Sequence, residues 1–124
     1  MAAPNLLALT TVTGKNAKLS LADANATVLI SNAAASGKLI MVHAVVAAND
    51  DGTNSADVTL SVNSAAAGAG TPYKVAHLVA VAARRSVVLV DKTAPIYLEE
   101  DTSLVVTASA GNDLDITAEY LELS

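Results

Sequence analysis

The stretch SVVLVDKTAPIYLEEDTSLVVTASAGNDLDITAEYLEL, residues 86–123, decides the fold class. Apolar and polar side chains alternate over residues 103–109, and the alternation resumes at Leu114 after the turn residues Gly111-Asn112-Asp113. A period of two is the signature of half-buried β-strands, and glycine, asparagine and aspartate are typical of the turns between them. The end of the chain is therefore predicted to consist of strands joined by turns, with no residue suited to catalysis.

The rest of the chain shows the same pattern. Its 124 residues correspond to a single domain, and turn residues recur at intervals too short for a helical protein. Pro72 and Pro95 stand at strand entrances, where a missing N–H costs least. We predict an all-β fold, a two-sheet antiparallel β-sandwich of jelly-roll or immunoglobulin-like type. The predicted strands are Leu6–Thr13, Ala17–Leu21, Ala26–Ser31, Lys38–Ala48, Ala56–Asn63, Tyr73–Ala83, Ser86–Asp91, Ile96–Glu99, Ser103–Ser109 and Leu114–Leu121.

Two of these segments are apolar on both faces, namely 39–48 and, apart from His77, 75–83. One face of a strand in an antiparallel sandwich normally meets water. Such a strand is expected to lie centrally under a covering loop or at a subunit contact. A helix over 75–83 is the alternative, although its valines favour a strand. The alanine-glycine stretch 64–70 is interpreted as a mobile loop.

The composition indicates a partner. Hydrophobic residues make up 52% of the chain and the mean hydropathy is +0.46, but there are only three tyrosines and no Phe or Trp. Small side chains bury little area each, so the core is thin for its length. Charged residues amount to only 15%. We therefore expect some outer apolar surface to be covered by another copy or another protein, the alternative being that alanine is tolerated on exposed faces.

Charge and cysteine content exclude several function classes. The net charge is −5 and Arg84-Arg85 is the only basic pair, so a nucleic-acid partner is not predicted. Without cysteine there is no disulfide, thiolate nucleophile or cysteine-based metal site. No window approaches the roughly 18 apolar residues of a membrane span, so no membrane partner is predicted. The apolar run Leu6–Leu9 has no positive residue before it and is interpreted as part of a first strand rather than an export signal.

Three motif tests for chemistry fail. A calcium loop centred on Gly52 would need ligands at Ala47 and Val58, so Asn49–Gly52 is interpreted as the turn of a hairpin between strands 38–48 and 56–63. Ala35-Ser36-Gly37-Lys38-Leu39 lacks the first glycine and the final Ser or Thr of a phosphate-binding loop. Glu99-Glu100-Asp101 is interpreted as a solvated turn, because neighbouring strand residues point to opposite faces. We predict no catalytic residue, no metal site and no cofactor.

The two histidines, His43 and His77, both lie in apolar strands without an orienting acid or serine nearby in the sequence. Such histidines are predicted to be packed or at an interface. If they face a symmetry axis, they make assembly sensitive to pH. An oligomer mass that stays the same between mildly acidic and neutral pH would exclude this idea.

Four segments that contain strand ends and turns, taken in their order along the chain, resemble a known protein family. The phrases Ala47–Val58, Val88–Lys92, Ile96–Leu104 and Ala108–Tyr120 together resemble small β-sandwich virion structural proteins of tailed bacteriophages, particularly marine and cyanobacterial phages. The similarity covers roughly residues 38 to 123, and its phrases encode strands and turns rather than a catalytic fingerprint. The first 35 residues match less well and are expected to form an N-terminal arm or strand that contacts a partner.

The resemblance implies a non-enzymatic component of a virion, of the capsid decoration or cement type. Such a protein self-associates, with a trimer favoured, and binds the major capsid protein on the capsid surface. A tail- or fibre-associated structural protein is the alternative within the same class. A glycan-binding β-sandwich module is the alternative from another class, although three tyrosines offer few aromatic platforms.

Overall fold

The computed structural model describes residues 4–124 as nine strands and one short 3₁₀ turn. The strands are β1 Val12–Ser20, β2 Thr27–Asn32, β3 Leu39–Asn49, β4 Ala56–Asn63, β5 Pro72–Val81, β6 Ser86–Val90, β7 Ile96–Leu98, β8 Thr102–Ala108 and β9 Leu114–Leu123, and the turn is Ala66–Gly68. The positions that alternate in the sequence are strands here, and no helix forms over 75–83. Pro72 opens β5 and Pro95 immediately precedes β7, as predicted.

The strands form two antiparallel sheets. The front sheet has the order β1-β9-β3, and the far side of β3 pairs with β6 at one end and with β7 at the other. The back sheet has the order β2-β8-β4-β5. With β6 and β7 taken as one interrupted strand, the chain alternates between sheets at nearly every step. This connectivity is that of a jelly roll, in which two Greek keys place sequential strands on opposite sheets.

The core lies between the sheets and consists of aliphatic side chains. Strand β9 shows how alternation builds it, because Leu114, Ile116 and Ala118 are buried while the intervening polar residues are exposed. The buried cluster comprises Leu21, Leu29, Ile30, Ile40, Val42, Val45, Ala47, Ala56, Val58, Leu60, Val81, Val90, Leu98, Leu104, Val106, Ala108, Leu114, Ile116 and Ala118. No Phe or Trp contributes, so the packing depends on many small contacts.

Two buried asparagines link the sheets. Asn32, at the end of β2 in the back sheet, donates from Nδ2 to the carbonyl of Leu98 in the front sheet at 2.9 Å. Asn49, at the end of β3 in the front sheet, donates from Nδ2 to the carbonyl of Val81 in the back sheet, also at 2.9 Å. Both side chains are at most 4% exposed. Each amide satisfies a buried carbonyl that would otherwise lack a partner, so the two residues hold the sheets together.

Three predictions about local structure are wrong. The segments Leu6–Thr13 and Ala17–Leu21 are not separate strands; one strand, β1, runs from Val12 to Ser20 through Gly14. Its register against β9 is continuous, and the edge position lets polar residues occupy it. Strands β3 and β4 do not form a hairpin, because β3 lies in the front sheet and β4 in the back sheet.

The alanine-glycine loop is tethered rather than free. The backbone N–H groups of Ala66, Ala67 and Gly68 donate to Asp101 Oδ1, Ser31 Oγ and Ser103 Oγ respectively, at 2.9–3.0 Å. The prediction of a mobile loop missed these contacts. They come from residues more than thirty positions away in the chain.

Candidate interaction surface

The loop after β3, which includes Asn49–Gly52, is closed by its own hydrogen bonds. Asp51 Oδ1 accepts from the backbone N–H groups of Thr53, at 2.8 Å, and Asn54, at 3.2 Å. These backbone hydrogen bonds, with those from the Thr53 and Asn54 side chains, lower the pKa of Asp51 to about 2. The carboxylate therefore stabilises a turn.

A second carboxylate lies beside this turn. Partial desolvation, followed by the charge of Asp51 and a hydrogen bond with it, raises the pKa of Asp113 above its usual value. The backbone carbonyl of Asp113 accepts from the N–H of Asp50 at 2.7 Å, which joins the β8–β9 connection to the β3–β4 connection. Among residues 4–124, no group of three or more His, Asp and Glu is placed to hold a metal ion.

The two histidines do not meet. His43 is half-buried in the front sheet, at a bulge in β3 beside a surface depression of about 250 Å³ that Asn16 and Glu119 help to line. His77 is exposed on β5, in the back sheet. The two histidines therefore form no joint site within one chain.

The remaining motif residues take structural roles. Asp101 adopts a left-handed backbone conformation, with φ 59°, and accepts a hydrogen bond from the alanine-glycine loop. Ser36 donates from Oγ to Oδ1 of the buried Asn32. Lys38 Nζ lies 3.3 Å from Glu122 Oε1. None of these groups converges with another on an open cleft that would serve as an active site.

A three-residue charge network ties β1 and β9 to the start of β3. Glu122 Oε1 lies 3.0 Å from Lys15 Nζ, in addition to its contact with Lys38. Partial desolvation opposes ionisation of Glu122, but the hydrogen bonds and charges of the two lysines outweigh it and lower its pKa. The stability that this network contributes is present above the ordinary pKa of a glutamate and is lost as the pH falls through the lowered value.

The outer face of the back sheet is polar and partly covered. Ser61, Asn63 and Ser103 are buried there, and the alanine-glycine loop lies over β2 and β8. Asn63 Nδ2 donates to the carbonyl of Gly68 at 3.0 Å, which fixes the loop in place. The loop also covers the outward-facing Val105 of β8, which is only 5% exposed.

The outer face of the front sheet is apolar at one end. Here Met41 pairs with Leu121 of β9 on one side and with Tyr97 of β7 on the other, and Leu121 pairs with Gly14 of β1. We call the group Val12, Met41, Tyr97 and Leu121 the apolar corner. Val12 is 57% exposed and Tyr97 48% exposed, while the other two are half-buried. Part of β3 is thus central and doubly apolar, as its sequence predicts.

A short turn projects from the chain just before β1. The carbonyl of Asn5 accepts from the N–H of Ala8, and Asn5 Oδ1 accepts from the N–H of Leu7. This Asn-capped arrangement, which we call the leucine turn (residues 5–8), presents Leu6 at 50% and Leu7 at 97% exposure. The N–H groups of Thr10 and Thr11 donate to the carbonyl of Ser124, so the turn emerges beside the end of β9.

The free edge of the back sheet is irregular. Strand β5 pairs with β4 through two register shifts, and Leu78, with φ 51°, occupies the left-handed region that a leucine rarely adopts. Bulges of this kind weaken an edge as a template for further strands. The exposed Tyr73 of β5 lies in a different sheet from Tyr97, so these tyrosines do not form one aromatic platform for a glycan.

Comparison with known proteins gives information about the fold of the chain. No protein-family model and no curated protein matches the chain. A chain in the acid-stable capsid structure of Helicobacter pylori bacteriophage KHP30 matches it with a TM-score of 0.50 and 10% identity, over 94% of this chain and 90% of that one. The chain therefore shares the two-sheet β-sandwich fold of that capsid chain.

Two further solved structures match less closely. A chain of the extra small virus particle from the prawn Macrobrachium rosenbergii has a TM-score of 0.46 and 12% identity, over 97% of this chain and 85% of that one. A chain from the capsid asymmetric unit of cyanophage Pam1 has a TM-score of 0.38 and 14% identity, over 99% and 91% of the two chains. Both scores are below 0.5, so the assignment of the fold rests on the KHP30 match. Within residues 4–124 no helix is long and apolar enough to cross a membrane.

The leucine turn was not predicted from the sequence. Residues 6–9 are apolar, and this run predicts a strand. The available signal was Asn5, since an asparagine followed by a short apolar run fits an Asx-type turn as well as a strand entrance. The apolar corner had no comparable signal, because its members come from four strands and meet only through the register.

Proposed function

We propose that this chain is a non-enzymatic structural protein of a bacteriophage virion, a capsid decoration protein that self-associates and binds the major capsid protein. The observation that carries the proposal is the jelly-roll topology, matched over nearly the full length of both chains in the KHP30 capsid structure. The resemblance of the turn phrases to phage virion proteins points in the same direction.

The surface chemistry supports an adhesive role. The polar groups tested as possible sites are engaged in turns and sheet contacts, while the apolar corner and the leucine turn remain exposed. Exposed apolar groups of this kind mark contact surfaces in proteins that work in assemblies. Such a protein stabilises a head by bridging neighbouring subunits through broad contacts rather than by catalysing a reaction.

The test is the copy number of the chain in purified particles. Quantitative mass spectrometry against the major capsid protein should give hundreds of copies for a decoration protein. Particles that lack the chain should lose heat resistance and regain it when the purified protein is added back. A few copies per particle would assign the chain to a tail or fibre, and complete absence from particles would overturn the proposal.

A glycan-binding module remains distinguishable by a second measurement. Glycan-array binding that is lost in both Tyr73→Ala and Tyr97→Ala variants, together with absence from particles, would favour that role. For a decoration protein we expect no glycan-array signal, and both tyrosine variants should behave as the wild type does on the array.

A further inference from the structure

We propose that the leucine turn of one copy docks onto the apolar corner of a second copy, and that repetition of this contact closes a ring. This inference rests on one part of the proposed function, namely that the chain is a self-associating component of a particle. It names the surfaces through which copies contact each other.

The two surfaces lie at the same end of the front sheet but do not satisfy each other within one chain. Leu7 is 97% exposed, so its side chain touches almost nothing within residues 4–124. Val12 and Tyr97 of the corner are also about half exposed. The turn is held by two hydrogen bonds of Asn5, so its leucines are presented in a fixed arrangement. A preorganised apolar projection loses less conformational freedom when it binds.

Charge favours a second copy as the occupant. Each chain carries a net charge of −5, so two copies repel one another unless they meet through uncharged surfaces. The described segment before β1, PNLLALTT at residues 4–11, contains no charged residue. None of the four corner residues is charged either. Contact between these two surfaces brings no like charges directly together.

The area is appropriate for such a contact. With both surfaces used on every chain, the exposed parts of Leu6, Leu7, Val12 and Tyr97 supply roughly 250–380 Å² of apolar surface, at about 100–150 Å² for each fully exposed side chain. A standard interface takes about 800 Å² from each partner, a little over half of it apolar. The turn and the corner therefore provide most of the apolar centre that one subunit needs.

The geometry of the contact dictates a closed assembly. Because turn and corner are different surfaces, the contact closes either as a reciprocal two-fold pair or as a head-to-tail ring, and otherwise grows into a filament. A ring leaves no unpaired leucine turn and no bare corner. The smallest such assembly is a two-fold dimer in which each turn docks on the other copy's corner, and larger rings form where the contact geometry prevents that exchange.

The test compares three double variants by size-exclusion chromatography with light scattering. Leu6→Ser with Leu7→Ser removes the turn, and Val12→Ser with Tyr97→Ser removes the corner. Tyr73→Ser with Val75→Ser is the matched control, since it removes one exposed tyrosine and one exposed valine from β5 in the back sheet. We expect the first two variants to weaken association at least tenfold and the control to associate as the wild type does.

A mixture of the turn variant and the corner variant tests the contact more directly than either variant alone. The turn variant keeps an intact corner and the corner variant keeps an intact turn, so an equimolar mixture should form heterodimers with a single contact and no rings. Far-UV circular dichroism and the melting temperature of the monomer should be unchanged in the turn variant, because Leu7 makes almost no intramolecular contact. A monomeric wild type at 100 μM, rings in either variant, or equal loss in the control would each overturn the inference.

A cross-link distinguishes this contact from others, since the chain has no cysteine of its own. The double variant Leu7→Cys with Tyr97→Cys should oxidise to a covalent ladder that ends at the ring size. Purely intramolecular disulfides would contradict the inference. Binding to capsid particles is measured separately. Rings that fail to bind capsids would overturn the proposed function but leave this contact between copies in place. A chain that binds capsids but does not form this contact would overturn the inference and leave the proposed function in place.

Discussion

The buried amide of Asn32 allows a quantitative test of what holds the two sheets together. Its Nδ2 donates to the carbonyls of Leu98 and Lys38, each at 2.9 Å, and its Oδ1 accepts from Ser36 Oγ. Asn32→Ala removes all three hydrogen bonds. At about 1 kcal/mol of net stability for each bond, or about 1–3 kcal/mol for each buried carbonyl left unpaired, the expected loss is about 2–4 kcal/mol.

That loss is large for a domain of this size, whose total stability is expected to lie at about 5–15 kcal/mol. Urea unfolding followed by far-UV circular dichroism gives the free energy of unfolding for the wild type and the variant. Asn16→Ala is the matched control, because Asn16 is exposed on the edge strand β1 and its replacement should change stability by less than about 0.5 kcal/mol.

The isosteric variant Asn32→Asp separates hydrogen bonding from packing. It preserves the shape but places a carboxylate against two carbonyl oxygens, so its pKa should be raised and its destabilisation at pH 7 should match or exceed that of alanine. As the pH falls through that raised pKa, the protonated carboxyl donates one hydrogen bond again and the deficit should shrink. A loss below 1 kcal/mol for Asn32→Ala, or a deficit of Asn32→Asp that does not change with pH, would refute this account.

Three further predictions concern the turns and the sheet edge. Asp113→Asn should raise the melting temperature at pH 7 and lose this advantage below about pH 4, because the raised pKa of Asp113 means that its charged form destabilises the fold at neutral pH. Gly111→Ala should cost more in urea unfolding than Gly14→Ala, because a Cβ would lie 2.6 Å from the carbonyl oxygen of Ala22 in the first case and 3.8 Å from a flexible side chain in the second. Leu78→Val should be less stable than Leu78→Asn by about 1 kcal/mol despite its greater hydrophobicity, because asparagine tolerates a positive φ better than a β-branched residue does; equal stabilities would contradict this reasoning.

The strands could be predicted because their signal is local. Over residues 114–118 of β9 the buried residues are those that alternation places on one face, and a strand needs no distant information to show that pattern. The bounds of β4 are those predicted, and those of β3 shift by one residue at each end. The jelly-roll and immunoglobulin-like alternatives stayed open, since both are built from the same kind of strands.

The pairing of the strands could not be predicted, because turn chemistry describes only the turn. The loop 49–54 has the Asp-Gly pair that is common in hairpins, and Asp51 does close a tight turn there. The chain leaves that turn into the other sheet, because β3 pairs with β9, β6 and β7 over its length. Those partners are between 38 and 84 positions away, and no local pattern records which of them is chosen.

The same limit explains why the candidate surface was only partly foreseen. Strand β3 reads as apolar on both sides, and that much indicated a covering loop or a contact. The back sheet uses the first solution, since its own alanine-glycine loop covers Val105. The front sheet has no such cover at Tyr97, which pairs with Met41 and is 48% exposed. Because Tyr97 and Val12 stay about half exposed at this end of the sheet, the contact proposed above would cover them with the exposed Leu7 of a neighbouring copy.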